Sequence, residues 1–262
     1  YGMQVITPDS GHLACGDTGA GKMPSEQVLL EHIEKEIACE KDLHGLRICV
    51  TAGPTREAID PVRFISNHST GKMGYAIARR AMLRGAEVTL VAGETNLVDV
   101  PFVNMVHVVS AQDMYDAVTE NVKTCDIVIK AAAVADYRPK NVSDQKIKKQ
   151  DGEMSIELER TDDIIGSLGK HKEDHRGAGN LPLFLCGFSM ETEHMLENSR
   201  KKLDKKNLDM IVANNVKVAG AGFGTDTNVV TLITKEECRE LPIMSKEEVA
   251  DEILSQILAM RG

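Results

Sequence analysis

Short apolar runs alternate with amphipathic segments along most of this chain, and this alternation restricts the fold more than any other feature. Ser110 and Asp113 have the spacing of a helix capping box, and Ser245 and Glu248 repeat it before an amphipathic stretch. Alternating strands and helices predict an α/β fold, a doubly wound, Rossmann-like and mostly parallel sheet with helices on both faces. The predicted strands are 47–52, 88–92, 106–109, 126–132, 183–188 and 210–213, and the predicted helices are about 25–39, 74–83, the segment after Ser110, about 191–204 and the segment after Ser245.

Length and local composition predict one large domain with an appendage. The chain has 262 residues, its first 24 are polar and rich in glycine, and residues 36–45 are charged and typical of a linker. We therefore predict a boundary that separates residues 1–44 from residues 45–262. No apolar run approaches the roughly 18–20 residues that a membrane-spanning helix needs, so we expect no membrane span.

Charge and cysteine usage narrow the function classes. The formal net charge of −9 argues against a general nucleic-acid surface, so a phosphate-bearing ligand needs a local cluster of donors. The six cysteines include no CxxC pair, and Cys49, Cys125 and Cys186 lie in apolar runs where buried free thiols are common. We expect a cytoplasmic chain in a reducing compartment, without structural zinc.

Two glycine-containing segments suggest nucleotide binding, but neither matches a complete nucleotide-binding motif. Residues 16–22 fit G-x-x-x-x-G-K, yet Met23 follows where a magnesium-binding hydroxyl is required, and no convincing strand precedes the segment. After the first predicted strand, Gly53-Pro54 replaces G-x-G-x-x-G, and the proline removes an amide donor. The second feature argues against a dinucleotide dehydrogenase.

Residues 63–74 form the most informative polar segment. They combine Arg63, Asn67 and Lys72 with serine, threonine, histidine and two glycines, directly before a predicted helix. Backbone amides at a helix N-terminus and the helix dipole both favour an anion. The segment predicts an anion site, and the alternative is an ordinary polar loop with a helix cap.

Further candidates follow the later strands, where ligands of a doubly wound sheet bind. Small residues at 131–133 leave room for a flat ligand, and Asp136 offers an acceptor for hydroxyl groups, although alanines are equally typical of a core. The lysines of 146–149 are either solvated surface or a triphosphate clamp. Lys202 and Lys206 are helical neighbours whose repulsion a shared anion would relieve. Phe188 lines either a base pocket or the core.

With these segments in view, the chain resembles the bacterial bifunctional coenzyme A biosynthesis proteins, which join a phosphopantothenoylcysteine decarboxylase to a phosphopantothenate–cysteine ligase. Residues 51–57 and 59–69 are similar to the ligase signature nearly residue for residue. Residues 131–139, 146–149 and 206–209, together with Gly187-Phe188 and Glu191-Thr192, continue the similarity in order, which covers about residues 46–262.

The resemblance implies a CTP-dependent ligase that makes 4′-phosphopantothenoylcysteine from 4′-phosphopantothenate and L-cysteine through an acyl-cytidylate, with Mg²⁺ bound to CTP. It implies that Asn67 stabilises this intermediate, that Arg63 supports substrate binding, and that Lys146 neutralises charge as the phosphates separate. The family often has Asn-Pro-Asp where this chain has Thr161-Asp162-Asp163, a departure from the family pattern. The implied nucleotide contacts are Lys130, Ala131, Ala132, Asp136, Lys146, Thr161, Asp162, Asp163, Ile164, Phe188, Lys202 and Lys206.

For residues 1–44, the resemblance is to the C-terminal tail and linker of the flavin-dependent decarboxylase domain. Cys15 then corresponds to that enzyme's proton donor, FMN belongs to the part of the domain that is missing here, and we expect no decarboxylase activity from this chain alone. The family also implies a homodimer through the ligase domain and a higher oligomer with the full decarboxylase. A nicotinamide-dependent oxidoreductase and a non-catalytic nucleotide-binding dimerisation module remain alternatives, and the residues leave CTP and ATP both open.

Overall fold

The structure, a computed structural model, describes residues 3, 5–13, 15–149, 153–174, 181–190, 195–214, 222 and 224–262. Six α-helices are present in this part of the chain, and none of them is long and apolar enough to cross a membrane. A 3₁₀ turn lies at Lys172–Asp174. The helices are α1 (Glu26–Ile37), α2 (Lys72–Leu83), α3 (Ala111–Val122), α4 (Ile164–Lys170), α5 (Met195–Lys205) and α6 (Lys246–Arg261).

The strands belong to one large sheet and several two-stranded antiparallel sheets. The strands of the large sheet are longer on average, and those of the small sheets are mostly two to four residues. In chain order the strands are β1 (Asp9–His12), β2 (Thr18–Lys22), β3 (Arg47–Ala52), β4 (Glu57–Ala58), β5 (Phe64–Ile65), β6 (Glu87–Ala92), β7 (Asn104–His107), β8 (Ile127–Lys130), β9 (Tyr137–Pro139), β10 (Leu158–Arg160), β11 (Phe184–Met190), β12 (Met210–Asn214), β13 (Thr227–Asn228), β14 (Val230–Ile233), β15 (Cys238–Glu240) and β16 (Met244–Ser245).

The large sheet has the order β15-β14-β12-β11-β8-β3-β6-β7. Its strands from β12 to β7 are parallel, while β14 and β15 add an antiparallel hairpin at the β12 edge. Counted along the chain, the six parallel strands have the Rossmann order 3-2-1-4-5-6. The predicted fold class is therefore confirmed, and β3 and β8 are the neighbours between which the strand order reverses.

Both faces of the sheet are covered, as the continuous apolar runs require. One core lies between the sheet and helices α2 and α6. Its fully buried residues include Val50 and Leu90 of the sheet and Ile253 of α6. The other core contains α3, α4 and α5 over residues such as Val128 and Ile211. Cys49, Cys125 and Cys186 are buried free thiols in these cores, as predicted.

The helix starts follow the capping signals of the sequence. The side chain of Ser110 accepts from the amide of Asp113 at 3.1 Å, and the carboxylate of Asp113 accepts from the amide of Ser110 at 2.8 Å. Ser245 and Glu248 make the same reciprocal pair at the start of α6. Both predicted capping boxes are confirmed.

Some boundaries and small elements differ from the sequence expectations. Helix α2 begins at Lys72, two residues earlier than predicted, and β11 extends to Met190, so Phe188 lies inside a strand and not at its end. The expectations omitted every short antiparallel pair, including the edge hairpin of β14 and β15. Strands of two to five residues are too short for an alternating pattern to become recognisable.

The N-terminal segments contribute little to the core. The described residues of β1 and β2 are mostly exposed, and α1 contains no buried residue. Helix α1 contacts the main body through ion pairs and rings: Arg79 binds Glu34 at 2.6 Å, and the ring of Phe102 lies edge-on to His32 at 4.7 Å. Leu43 is fully buried, so the described core begins close to residue 43.

Candidate active site

The carboxyl ends of β3 and β8 meet where the strand order reverses, which is the expected ligand position in this fold. The loops that follow these strands are joined by backbone hydrogen bonds. The amide of Ala133 donates to the carbonyl of Gly53 at 3.0 Å, and the amide of Thr55 donates to the carbonyl of Ala133 at 3.3 Å. The Thr55 hydroxyl also accepts from the amide of Ala135 at 3.0 Å. These bonds join the two loops at the centre of the crevice, and two cavities adjoin the joined loops.

The first of these, here named the basic cavity, has a volume of about 360 Å³ and lies on the face covered by α4 and α5. It gathers side chains from β8, from the loop after β8, from the N-terminus of α4, from β11 and from α5. Nine of the predicted nucleotide contacts line it together. They are Lys130, Asp136, Thr161, Asp162, Asp163, Ile164, Phe188, Lys202 and Lys206.

The lysines of the basic cavity have an electrostatic environment suited to an anion. Burial, together with the nearby positive charges of Lys202 and Lys206, lowers the pKa of Lys130 to about 8. Lys202 donates to the carbonyl of Phe188 at 3.2 Å, and Lys206 forms an ion pair with Asp163 at 2.7 Å. A polyphosphate in this cavity would relieve the repulsion among the three lysines.

Thr161 and Asp163 shape the wall of the basic cavity. The hydroxyl of Thr161 donates to the carbonyl of Ala135 at 2.6 Å, and its amide donates to the carbonyl of Asp136 at 3.1 Å. Asp163 is the N-cap of α4 and accepts from the amide of Gly166 at 3.2 Å. The Thr161 side chain thus has a partner within the chain, and it holds the segment that carries Asp136.

The second cavity, here named the α2 cavity, has a volume of about 250 Å³ and lies on the face covered by α2 and α6. Gly71 is the N-cap of α2 and has a φ of 79°, a conformation that disfavours side chains, so the chain can turn into the helix with its amides facing the cavity. Lys246 is buried, and its pKa is lowered by burial and by the charge of Lys72. The other lining residues include Ser69, Thr70, Ala131, Ala132, Phe188, Asn214 and Asn228.

The predicted nucleotide contacts are therefore divided between two faces. Lys130 belongs to the basic cavity, whereas Ala131 and Ala132 line the α2 cavity, and Phe188 lines both. Successive residues of an extended strand point to opposite faces, which explains why Lys130 and Ala131 separate. The anion site predicted at 63–74 coincides with the α2 cavity only from Ser69 onward.

The three residues that the resemblance gives catalytic roles in ligation lie outside both cavities. The side-chain amide of Asn67 donates to the carbonyl of Ala133 at 2.6 Å, and its oxygen accepts from the amide of Ser69 at 3.0 Å. Arg63 binds Asp60 and the carbonyl of Ile147, and Lys146 is exposed. Neither the basic cavity nor the α2 cavity therefore contains Asn67, Asp136 and Lys146 together.

Two other predicted features have separate positions. Cys15 is exposed in the turn of the β1–β2 hairpin, where its thiol lies 3.8 Å from a carboxylate oxygen of Asp17. The segment Glu191-Thr192 lies outside the described residues. Sequence reasoning missed Arg160 in the basic cavity, and Asn214, Asn228 and Lys246 in the α2 cavity. Asn214 ends a parallel strand, so the strand-end rule identifies it in principle, whereas Lys246 carries no such signal.

Comparison with known proteins agrees with this architecture. The chain is 49% identical over 264 residues to the coenzyme A biosynthesis bifunctional protein CoaBC of Bacillus subtilis, with 99% of this chain and 63% of that protein covered. It is 44% identical over 257 residues to the CoaBC protein of Haemophilus influenzae, covering 98% and 62%. The chain thus spans somewhat less than two thirds of the length of these relatives.

Solved structures of related proteins also match the fold of this chain. A crystal structure of the C-terminal domain of a CoaBC protein matches with a TM-score of 0.70 and 48% identity, over 84% of this chain and 98% of that one. A DNA/pantothenate metabolism flavoprotein from Streptococcus pneumoniae matches with a TM-score of 0.68 and 26% identity, over 82% and 99%. Residues 43–260 match the family described as the DNA/pantothenate metabolism flavoprotein C-terminal domain, and the chain belongs to this family.

Proposed function

We propose that this chain is the phosphopantothenate–cysteine ligase part of a coenzyme A biosynthesis enzyme, and that it uses CTP. The observation that carries the proposal is the basic cavity, where nine predicted nucleotide contacts from separate segments come together around three lysines. The names of the CoaBC relatives support the pathway. A cationic cavity at a strand-order reversal, in a chain of net charge −9, supports a phosphate-bearing ligand.

The proposed reaction has two steps. A carboxylate oxygen of 4′-phosphopantothenate attacks the α-phosphorus of CTP, the bond to the bridging oxygen breaks, and pyrophosphate leaves. The cysteine amine then attacks the acyl carbon, the bond to CMP breaks, and the nitrogen gives up a proton as the amide forms. Activation is needed because an amine does not displace oxide from a carboxylate.

The residues divide these tasks by their charges and positions. We assign the phosphates to Lys130, Lys202 and Lys206, whose positive charges at neutral pH stabilise negative charge that develops on the oxygens of the α-phosphate. Ala131 and Ala132, which line the α2 cavity, and Phe188, which lines both cavities, are proposed to position the nucleoside. Asn67, tied to the carbonyl of Ala133, is proposed to stabilise the acyl-cytidylate, and Lys146 to neutralise the departing pyrophosphate.

Magnesium is proposed to enter with the nucleotide. Among the described residues, no three His, Cys, Asp or Glu side chains form a metal-binding group, which fits a cation held mainly by phosphate oxygens and water. Asp136 and Asp162 line the basic cavity and would supply the one or two carboxylates that such a cation uses. When bound, the ion supplies charge neutralisation on the triphosphate.

Residues 1–44 are proposed to be the tail and linker of a flavin-dependent decarboxylase domain, with FMN bound by the rest of that domain. Helix α1 supports this proposal because it exposes Leu30, Ile33 and Ile37, with Ile37 77% exposed. An amphipathic helix with no buried residue needs another surface to cover its apolar side. Cys15, on the exposed hairpin before α1, is proposed to act only in that larger assembly.

The proposal is tested by incubating the chain with 4′-phosphopantothenate, L-cysteine, Mg²⁺ and either CTP or ATP. We expect release of CMP and pyrophosphate and formation of the amide, with CTP preferred. Nucleotide binding without product would favour a non-catalytic module. A change in NAD(P)H fluorescence without turnover of CTP or ATP would favour an oxidoreductase. Each of these two results would overturn the ligase proposal.

A further inference from the structure

Asp60 is the most heavily hydrogen-bonded side chain near the proposed site, and its side chain is completely buried. One carboxylate oxygen accepts from the amides of Val62 and Arg63 at 2.8 and 2.9 Å. The other accepts from Nε of Arg63 at 3.0 Å and from the amide of Ile147 at 3.1 Å. The hydrogen bond from Arg63 holds the pKa of Asp60 well below its usual range, so this carboxylate is ionised at neutral pH.

These contacts connect two segments that are 84 residues apart in sequence. The guanidinium of Arg63 donates to the carbonyl of Ile147 at 3.0 Å, so the amide and the carbonyl of Ile147 are both held by the Asp60–Arg63 pair. The amide of Ser143 also donates to the carbonyl of Ile59 at 3.0 Å. The backbone on both sides of Lys146 is therefore attached to the β4–β5 hairpin.

From this geometry we infer that Asp60 is a positioning residue that fixes the location of Lys146, and that Arg63 acts with it. The inference rests on the proposed function, because it gives Lys146 a task in catalysis. It assigns the guanidinium of Arg63 to holding the 143–147 loop. A lysine on an untethered loop samples many positions, and a misplacement of about 1 Å can cost about 100-fold in rate.

Asp60→Asn separates this role from local folding. The remaining oxygen of the asparagine still accepts from the amides of Val62 and Arg63, whereas its amide group cannot accept from Ile147. We expect kcat for pyrophosphate release to fall about 10- to 100-fold. The nucleotide Kd stays within about twofold, because no residue of the basic cavity is altered. Asp113→Asn is the matched control, since Asp113 also accepts two backbone amides, but those of Val109 and Ser110 in its own segment.

A double-variant comparison tests whether Asp60 acts through Lys146. If it does, the double variant with Asp60→Asn and Lys146→Gln is no slower than Lys146→Gln alone. If the two residues act independently, their losses in rate multiply. Multiplying effects would overturn the inference. Thermal unfolding shows whether the variants fold. If Asp60→Asn does not fold, Arg63→Lys tests the same tether, because the shorter side chain no longer reaches the carbonyl of Ile147.

A readout without catalysis keeps this inference distinct from the ligase proposal. Limited trypsin digestion should cleave after Lys146, Lys148 or Lys149 several times faster in Asp60→Asn than in the wild type or in Asp113→Asn. Faster cleavage in a chain without ligase activity would support the tether and refute the proposed function. Unchanged cleavage, or faster cleavage with unchanged kcat in an active ligase, would refute the positioning role.

Discussion

Lys130 is the residue whose titration links the site most directly to pH. Its pKa of about 8 means that a protonated, nucleotide-binding form is abundant at pH 7 and scarce at pH 9. Bound phosphates favour the charged lysine and raise its pKa, so nucleotide binding takes up a proton above pH 8. If only the protonated form binds, the Kd for the nucleotide should weaken about 10-fold from pH 7 to pH 9.

Calorimetric titration of CTP at both pH values measures this change. In Lys130→Met the affinity at pH 7 should be lower and its dependence on pH should disappear. Lys201→Met is the matched control, because Lys201 is on α5 but is exposed and paired with Glu197. A wild-type pH dependence in Lys130→Met would assign the titration to another group.

Asn67 makes a hydrogen bond that its acidic analogue cannot make. Its side-chain amide donates to the carbonyl of Ala133, and in Asn67→Asp an ionised oxygen would face that carbonyl oxygen. We expect nucleotide binding within about twofold of the wild type, a slower second step, and accumulation of the acyl-cytidylate, detected by mass spectrometry of quenched reactions. Asn104→Asp, on the edge strand β7, is the control, and unchanged turnover in Asn67→Asp would remove Asn67 from the mechanism.

Helix α4 approaches the end of α5 so closely that only glycine fits at position 169. A Cβ atom there would lie 1.9 Å from the carbonyl oxygen of Lys206, and the Asn207 side chain donates to the carbonyl of Gly169 at 3.1 Å. The contact between the two helices therefore sets the position of Lys206 in the basic cavity. Gly169→Ala forces the helices apart.

We expect Gly169→Ala to lower the free energy of unfolding by about 1–3 kcal/mol, measured by urea denaturation. Because Lys206 moves with the displaced turn, nucleotide affinity should also fall. Gly19→Ala, at a site where an added methyl group meets no other atom, is the control. A stable Gly169→Ala protein with unchanged affinity would contradict the close packing.

Ionised carboxylates stabilise the whole fold at neutral pH. The guanidinium of Arg84, itself largely buried, binds Asp42 at 2.6 Å, and its hydrogen bond lowers the pKa of Asp42. A lowered pKa in the folded state contributes stability that is present above the ordinary value near 4 and is lost as the pH falls below it. Urea unfolding at pH 7, 5, 4 and 3 should show this loss, and Asp42→Asn should show a smaller one. If Asp42→Asn loses as much stability with falling pH as the wild type does, the loss does not come from Asp42.

We propose that the homodimer implied by the resemblance forms through two small antiparallel strand pairs that contact each other, β4–β5 and β9–β10. They expose Phe64, Tyr137 and Leu158, each about half exposed. Light scattering should give about twice the 28.6 kDa mass of the chain, and Leu158→Glu should shift the protein toward monomer. Val98→Glu, at an exposed apolar position in the β6–β7 loop, should leave the mass unchanged. A wild-type monomer would refute the dimer, and a dimeric Leu158→Glu would place the interface elsewhere.

The periodicity of the sequence was sufficient to identify the fold class, the six parallel strands and both capping boxes. These features are local, since burial on both faces produces continuous apolar runs and a cap needs only a few adjacent residues. The strand-end rule also predicted candidate residues at the carboxyl edge of the sheet, and the two cavities lie at this edge. The antiparallel pairs were not predicted because strands of two to five residues are too short to show a recognisable alternation.

Tertiary structure alone decided how the candidate residues are grouped. Lys130 and Ala131 are adjacent in sequence yet face different cavities, whereas Lys130 and Lys206 are distant in sequence and share one. In the sequence, Arg63 and Lys146 are two separate charges. The structure shows that the buried carboxylate of Asp60 joins their segments. Such groupings depend on strand order and loop packing between residues far apart in the chain, and local sequence patterns contain no information about those contacts.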